Sequence, residues 1–129
     1  VPFTVLARDA DRGRRFAAEF GAAYGGSPLS GEKLDGTIYV NATPMGFSDE
    51  PVEHPVRLHR GLAVLDLAYR PGETTLVLEG RAAGSRVVSG LDFLARQGAC
   101  AFALWTRRIV NVDLFRNALD TNRIGSPRS

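Results

Sequence analysis

Arg8 and Arg12 stand four residues apart, one helical turn, so two guanidiniums on one face can clamp a single phosphate. Directly after an apolar strand, such a guanidinium can also stack on a flat heterocycle. Arg14 and Arg15 follow closely, which leaves open a run of ordinary solvated arginines. Asp9 complicates the pair: a carboxylate there favours a ribose diol and repels a phosphate, or it caps the helix that follows. Asn41-Ala42-Thr43-Pro44-Met45-Gly46 combines amide and hydroxyl side chains with a glycine that permits close approach. Those side chains bond either a ligand or their own backbone, as in a capped turn. Asp66 and Tyr69 bracket another strand end, where a phenol can donate to a polyol or cover the edge of the core. Asp66 reads as structural. Gly90 either lets a ligand amide meet the backbone or is a plain turn glycine. Gln97 carries an amide that can both donate to and accept from a hydroxyl, or it is an exposed helical glutamine.

Other chemistries find no support. His54 and His59 lie in a polar loop with no partner pattern and are expected at the surface; no Cys/His cluster has metal spacing, so no metal is expected. Ser27, Ser30 and Ser48 lack a nucleophile signature. Phe102 and Trp105 fit a core stripe better than a stacking platform for bases. Sixteen basic residues against 14 acidic ones, net +2, is too mild an excess for nucleic acid and suits an anionic small ligand. The 129 residues, 44% hydrophobic and 23% charged, describe a soluble globular chain with one core. A single cysteine, Cys100, no signal peptide and no apolar run of about 20 residues predict a cytoplasmic protein off the membrane.

The elements that must hold these residues alternate. Apolar runs at 3–7, 37–41, 63–67 and 86–88 predict strands, some buried on both faces. A helix is expected from Asp9 or Asp11 to about Phe20, with Phe16, Ala17 and Phe20 on one face and Gly21 as its stop. Further helices are expected over 74–83 before Gly84, 91–105 and 111–119. Gly25-Gly26-Ser27-Pro28, the stretch from Gly46 to His59, and residues 70–73 are expected as loops and turns. Strand and helix in alternation predict an α/β fold with a parallel sheet, whose ligand site lies at the carboxyl ends of the strands. Arg8, Asn41 to Gly46, Asp66 to Tyr69, and Gly90 all fall at such ends.

Four pieces in order resemble the shikimate dehydrogenase family: Asn41-Ala42-Thr43-Pro44-Met45-Gly46; Asp66-Leu67-Ala68-Tyr69-Arg70-Pro71, like its D-x-x-Y-x-P; Ser89-Gly90-Leu91-Asp92-Phe93-Leu94, like its G-L-x-M-L; and Gln97-Gly98-Ala99 through Trp105-Thr106, like its Q-x-A-x-x-F-x-x-W-T. Ala7-Arg8-Asp9 with Arg12 matches its N-R-T/D and second Arg. The resemblance covers about residues 3–120. It implies a Rossmann-like open parallel sheet with helices on both faces, N-terminally incomplete, in a domain over 1–120 followed by a polar tail, 121–129. It implies NADP as cofactor and reversible reduction of 3-dehydroshikimate to shikimate. Cofactor contacts would come from Arg8, Asp9, Arg12, Asn41, Thr43, Leu67, Gly90 and Phe93; Tyr69 and Gln97 would face the substrate. The family's Gly-rich phosphate loop and its catalytic Lys/Asp pair match nothing here, and the chain opens on Val1. A fragment is therefore expected, inactive alone, with those parts in a preceding segment and a substrate domain; a homodimer is left open. The alternatives are a quinate/shikimate dehydrogenase using NAD and a non-catalytic nucleotide-binding module.

Overall fold

The pairs formed by the apolar runs at 37–41, 63–67 and 86–88 are parallel, as their alternation with helices predicts, and the run at 3–7 pairs in parallel with a short strand the sequence did not indicate. The structure is a computed structural model that describes residues 1–31, 33–46, 53–70 and 72–121. They fall into two compact units, Val1–Gly36 with Glu53–Arg57, and Thr37–Val52 with Leu58–Ser129. The single open sheet expected from the sequence is thus distributed as a two-stranded and a three-stranded sheet.

In the first unit β1 (Thr4–Val5) and β2 (Ala23–Tyr24) pair in register through α1 (Ala10–Glu19). Asp9 caps α1, its carboxylate accepting from the backbone N–H groups of Asp11 and Arg12 at 3.1 and 3.0 Å. Gly21, with φ of 64°, supplies the left-handed residue that stops the helix. Ala17 is buried, but Phe16 and Phe20 are exposed and stack on each other instead, ring centroids 4.6 Å apart. The helix sits so close to β2 that a Cβ on Gly13 would fall 2.6 Å from the Tyr24 ring. His54, expected at the surface, is buried beside Pro55 and Val56; an isolated bridge between Leu34 and Val56 draws that segment inward.

In the second unit the order is β3-β4-β5, with β3 (Ile38–Asn41), β4 (Ala63–Asp66) and β5 (Arg86–Val88). α2 (Thr75–Ala82) joins β4 to β5, and α3 (Gly90–Thr106) and α4 (Val112–Thr121) follow. The core is aliphatic: Leu62, Val64, Leu76, Val77 and Ala95 are each no more than 2% exposed. α3 buries Gly90, Ala95 and Ala99, whereas Trp105 is 84% exposed, so it is not the core residue its spacing predicts. It stands in the last turn of a helix rich in apolar residues, where spacing alone does not choose the buried face. Phe115 of α4 packs over Gly98, whose Cβ would lie 2.9 Å from the ring, and meets Phe102 edge-on at 6.0 Å. α4 runs through Thr121, and residues 122–129, expected as a tail, lie outside the described residues.

The start of α3 is pressed onto the end of β4. A Cβ on Gly90 would lie 2.9 Å from the Ala68 carbonyl carbon and 3.1 Å from the Asp66 carbonyl oxygen, and backbone cannot yield as a flexible side chain would. Gly90→Ala should therefore destabilise the chain by roughly 1–3 kcal/mol, read as a lower urea midpoint at unchanged slope. An unchanged midpoint would contradict this packing.

Candidate functional site

At the carboxyl ends of β3 and β4 the polar side chains converge on one carboxylate. Asp66 is 0% exposed, and a buried charge is tolerable only when hydrogen-bonded. Its Oδ1 accepts from Asn41 Nδ2 at 2.9 Å and from the Ala68 backbone N–H at 3.1 Å. Its Oδ2 accepts from the Thr74 hydroxyl at 2.5 Å. Thr74 in turn caps α2, accepting from the Val77 N–H at 3.3 Å. Gly46, with φ of 91°, lies over Thr74; its Cβ would be 3.5 Å from that of Thr74.

Asn41, 3% exposed, spends its whole amide internally. Its second N–H goes to the Met45 carbonyl at 3.2 Å, and its oxygen accepts from both the N–H (3.1 Å) and the hydroxyl (2.7 Å) of Thr43. An amide offers two donors and two acceptor sites, so these four bonds fill it. Thr43 is half-buried and takes the Met45 N–H on its oxygen at 3.2 Å. Nearby on β3, the Tyr39 phenol is pushed up to about 12, by burial first and by the negative charge of Asp66 second.

Beside this cluster lies a pocket of about 320 Å³. Ala68 and Tyr69 after β4, Thr74 and Val77 at the start of α2, Ser89, Gly90 and Leu91 at the start of α3, and Arg116 of α4 line it. Two helix N-termini therefore face one space, which favours a negative or carbonyl-bearing ligand. The α3 end is capped by Ser89 within Ser89-Gly90-Leu91-Asp92: its Oγ accepts from the Asp92 N–H at 3.2 Å and donates to the Asp92 Oδ2 at 2.8 Å. The other oxygen of Asp92 holds Arg116 at 2.8 Å, which brings that guanidinium to the pocket wall. The Arg70 and Glu73 side chains add charge at the rim, Glu73 being paired with Arg81.

Of the residues singled out in the sequence, Tyr69 and Gly90 line this pocket, and Tyr69 is half-exposed. Asn41 and Thr43 belong to the adjoining cluster; Leu67, half-buried, follows β4, and its backbone N–H donates to the Asn41 carbonyl at 2.9 Å. Phe93 and Gln97 are exposed on α3, three and seven residues after Gly90, hence on one row of the helix. Neither lines the pocket. Arg8, Asp9 and Arg12 belong to the first unit, Arg8 and Arg12 exposed, Asp9 engaged as the cap of α1. The Arg12 backbone N–H, foremost, holds the Asp9 carboxyl below its ordinary value. The sequence patterns did not single out Ser89 or Arg116 as site residues; the Ser-x-x-Asp spacing at a helix start was the available signal for the first. Among the described residues, no His/Cys/Asp/Glu group could hold a metal, and no helix is long and apolar enough to cross a membrane.

Among models of known protein families, none matches this chain. A shikimate dehydrogenase (NADP(+)) of Methanocella arvoryzae is 44% identical over 110 residues, 81% of this chain and 41% of that protein. One of Methanothermobacter thermautotrophicus is 35% identical over 127 residues, 90% and 45% of the two chains. The chain thus spans less than half the length of the relatives it matches. The crystal structure of a Thermus thermophilus shikimate 5-dehydrogenase in complex with NADP(H) and shikimate superposes with a TM-score of 0.69 at 34% identity, over 89% of this chain and 44% of that one. A 5-ketofructose reductase of Gluconobacter shares the fold with a TM-score of 0.80 at 24% identity, over 94% and 47%.

Two outcomes test the cluster. Thr74→Ala should cost about 1–2 kcal/mol in urea denaturation, because it removes a cap and a donor to a buried charge, whereas Thr74→Ser should restore most of it. The folded chain holds the Tyr39 proton more tightly than the unfolded chain, so that stabilisation is full below the ordinary value of 10.0 and is lost as the pH rises from there to about 12. Tyr39→Phe should flatten the fall in urea midpoint across this window; a fall as steep as in the wild type would contradict the burial of the phenol.

Proposed function

Because this chain belongs to the shikimate dehydrogenase family over the length it shares with its relatives, we propose that it is the NADP-holding part of an enzyme that reversibly converts 3-dehydroshikimate and NADPH into shikimate and NADP. The observation that carries the reading is the pocket at the carboxyl end of β4, lined by Tyr69 and Gly90. Its volume of about 320 Å³ suits a nicotinamide ring or a cyclic hydroxy acid. Val77 and Leu91 give it an apolar wall, and Thr74, Ser89 and Arg116 a polar edge. These residues fit the nicotinamide end of the cofactor, which when bound supplies or takes up the hydride.

The chain's own residues position and bind. Thr43, Leu67, Gly90 and Phe93 would hold the nicotinamide side. Gly90 suits this place because it has no side chain between a ligand and the backbone. Tyr69 and Gln97 would hydrogen-bond the hydroxyls of the substrate, a phenol and an amide being suited to a polyol. On the first unit, Arg8 and Arg12 would take the 2′-phosphate, with Asp9 securing the helix that carries Arg12. The proton is assigned to the family's Lys/Asp pair, which no residue of this chain matches. The lone Cys100 suits a cytoplasmic setting.

The full-length protein should reduce NADP in a shikimate-dependent manner. Tyr69→Phe and Gln97→Ala should each raise the KM for shikimate about tenfold, the loss of one hydrogen bond to a ligand. Arg8→Ala should lower kcat/KM for NADP about tenfold while sparing NAD. Absence of turnover with shikimate, or an equal loss with both cofactors, would overturn the corresponding assignment.

A further inference from the structure

The cluster around Asp66 has a direction as well as a place. The Thr43 and Ala68 backbone N–H groups can only donate. The Asn41 atom 3.1 Å from the first is therefore its amide oxygen, and Asp66 Oδ1, 3.1 Å from the second, is an acceptor. Asn41 Nδ2 then donates to Asp66 at 2.9 Å and to the Met45 carbonyl at 3.2 Å. A flipped amide would set donor against donor at Thr43 and acceptor against acceptor at Asp66 and Met45. With Asn41 Oδ1 restricted to accepting, the Thr43 hydroxyl 2.7 Å away must give its only proton to it. The Met45 N–H occupies one lone pair of Thr43 Oγ1 at 3.2 Å. One lone pair remains on that oxygen, and no proton.

We propose that Asp66 and Asn41 are positioning residues that lock the Thr43 hydroxyl as a one-way acceptor at the strand ends, so that the cofactor group seated on it is a hydrogen-bond donor. The donor is an amide N–H or a sugar hydroxyl; the locked oxygen rejects a carbonyl or phosphate oxygen at the same point. Asn41 contacts no ligand itself, because its amide is filled. The ligand half of this inference rests on the cofactor reading above. The relay itself rests only on the hydrogen bonds within the chain.

The relay is tested first without ligand, on the full-length protein. The Asn41 side-chain amide protons should exchange slowly with solvent in NMR spectra; fast exchange overturns the lock. NADP is then titrated. Thr43→Val should weaken binding about tenfold and Thr43→Ser should restore it, since a hydroxyl lone pair is what the ligand needs. Asn41→Asp places a carboxyl against Asp66. Relative to the wild type it should bind about tenfold more weakly near pH 8 and recover toward about pH 5, where a shared proton replaces the lost N–H. In the Thr43→Val background, Asn41→Asp should change NADP affinity by less than about twofold, because it acts through the hydroxyl already removed. Losses that multiply, or Thr43→Val binding like the wild type, overturn the proposal. Should Asn41→Asp fail to fold, the Thr43→Val and Thr43→Ser pair still decides it. An NADP analogue with methyl in place of the carboxamide NH2 separates the donors: loss of the Thr43 dependence identifies the amide, and its retention identifies a sugar hydroxyl. A wild type that does not bind NADP overturns the cofactor reading and, with it, the ligand half of the proposal, while the exchange measurement still decides the relay.

Discussion

A carboxylate without solvent must be surrounded by donors, and at Asp66 that requirement organises the strand ends of the second unit. Its donors come from the last residue of β3, from the backbone just after β4, and from the residue that caps α2. Three chain segments must therefore end at one point. Removing any one of them would leave a buried charge short of a partner, which costs more than the bond itself is worth. The Tyr39 phenol on β3 is raised first by its own burial and second by the charge of this carboxylate, whose influence thus reaches down the strand as well as across its end.

A second constraint is steric. Gly90 and Gly98 permit contacts that any side chain would prevent, the first between α3 and the end of β4, the second between α3 and Phe115. Both fix where α3 begins and how α4 lies along it. The Asp92–Arg116 ion pair also joins these helices, but it is partly exposed, and such pairs contribute little to stability. Its consequence is local: it presents a guanidinium at the pocket rather than holding the helices together. The pocket is the space left between parts that the carboxylate and the glycines have already fixed.

Much of this arrangement was legible in the chain. Apolar runs located β3, β4 and β5 to within a residue or two, and helix stops at Gly21 and Gly84 fell where glycine adopts positive φ. Asp9 was legible as a cap among its alternatives, and Asp66 as structural. Less was legible where tertiary contact overrides local pattern. β2 is two residues, Ala23–Tyr24, too short to show a period. The burial of His54 depends on a bridge between segments far apart in sequence. Trp105 obeys the helical spacing of a core residue, yet nothing local reveals that its turn is exposed. Asn41 could be named as polar and well placed, but that its amide is filled follows only from the positions of Asp66, Thr43 and Met45 together.

On the proposed function, the strand ends around Asp66 and Gly90 seat a nicotinamide cofactor beside a cyclic hydroxy acid. The most direct measurement is a backbone amide NMR titration of the protein with NADP, then with shikimate. The largest shifts are predicted at Thr43, Gly46, Leu67, Tyr69 and Gly90, with a further change at Tyr69 and Gln97 when shikimate is added. Saturable shifts that leave those residues unmoved, or no shifts with either ligand, would contradict it.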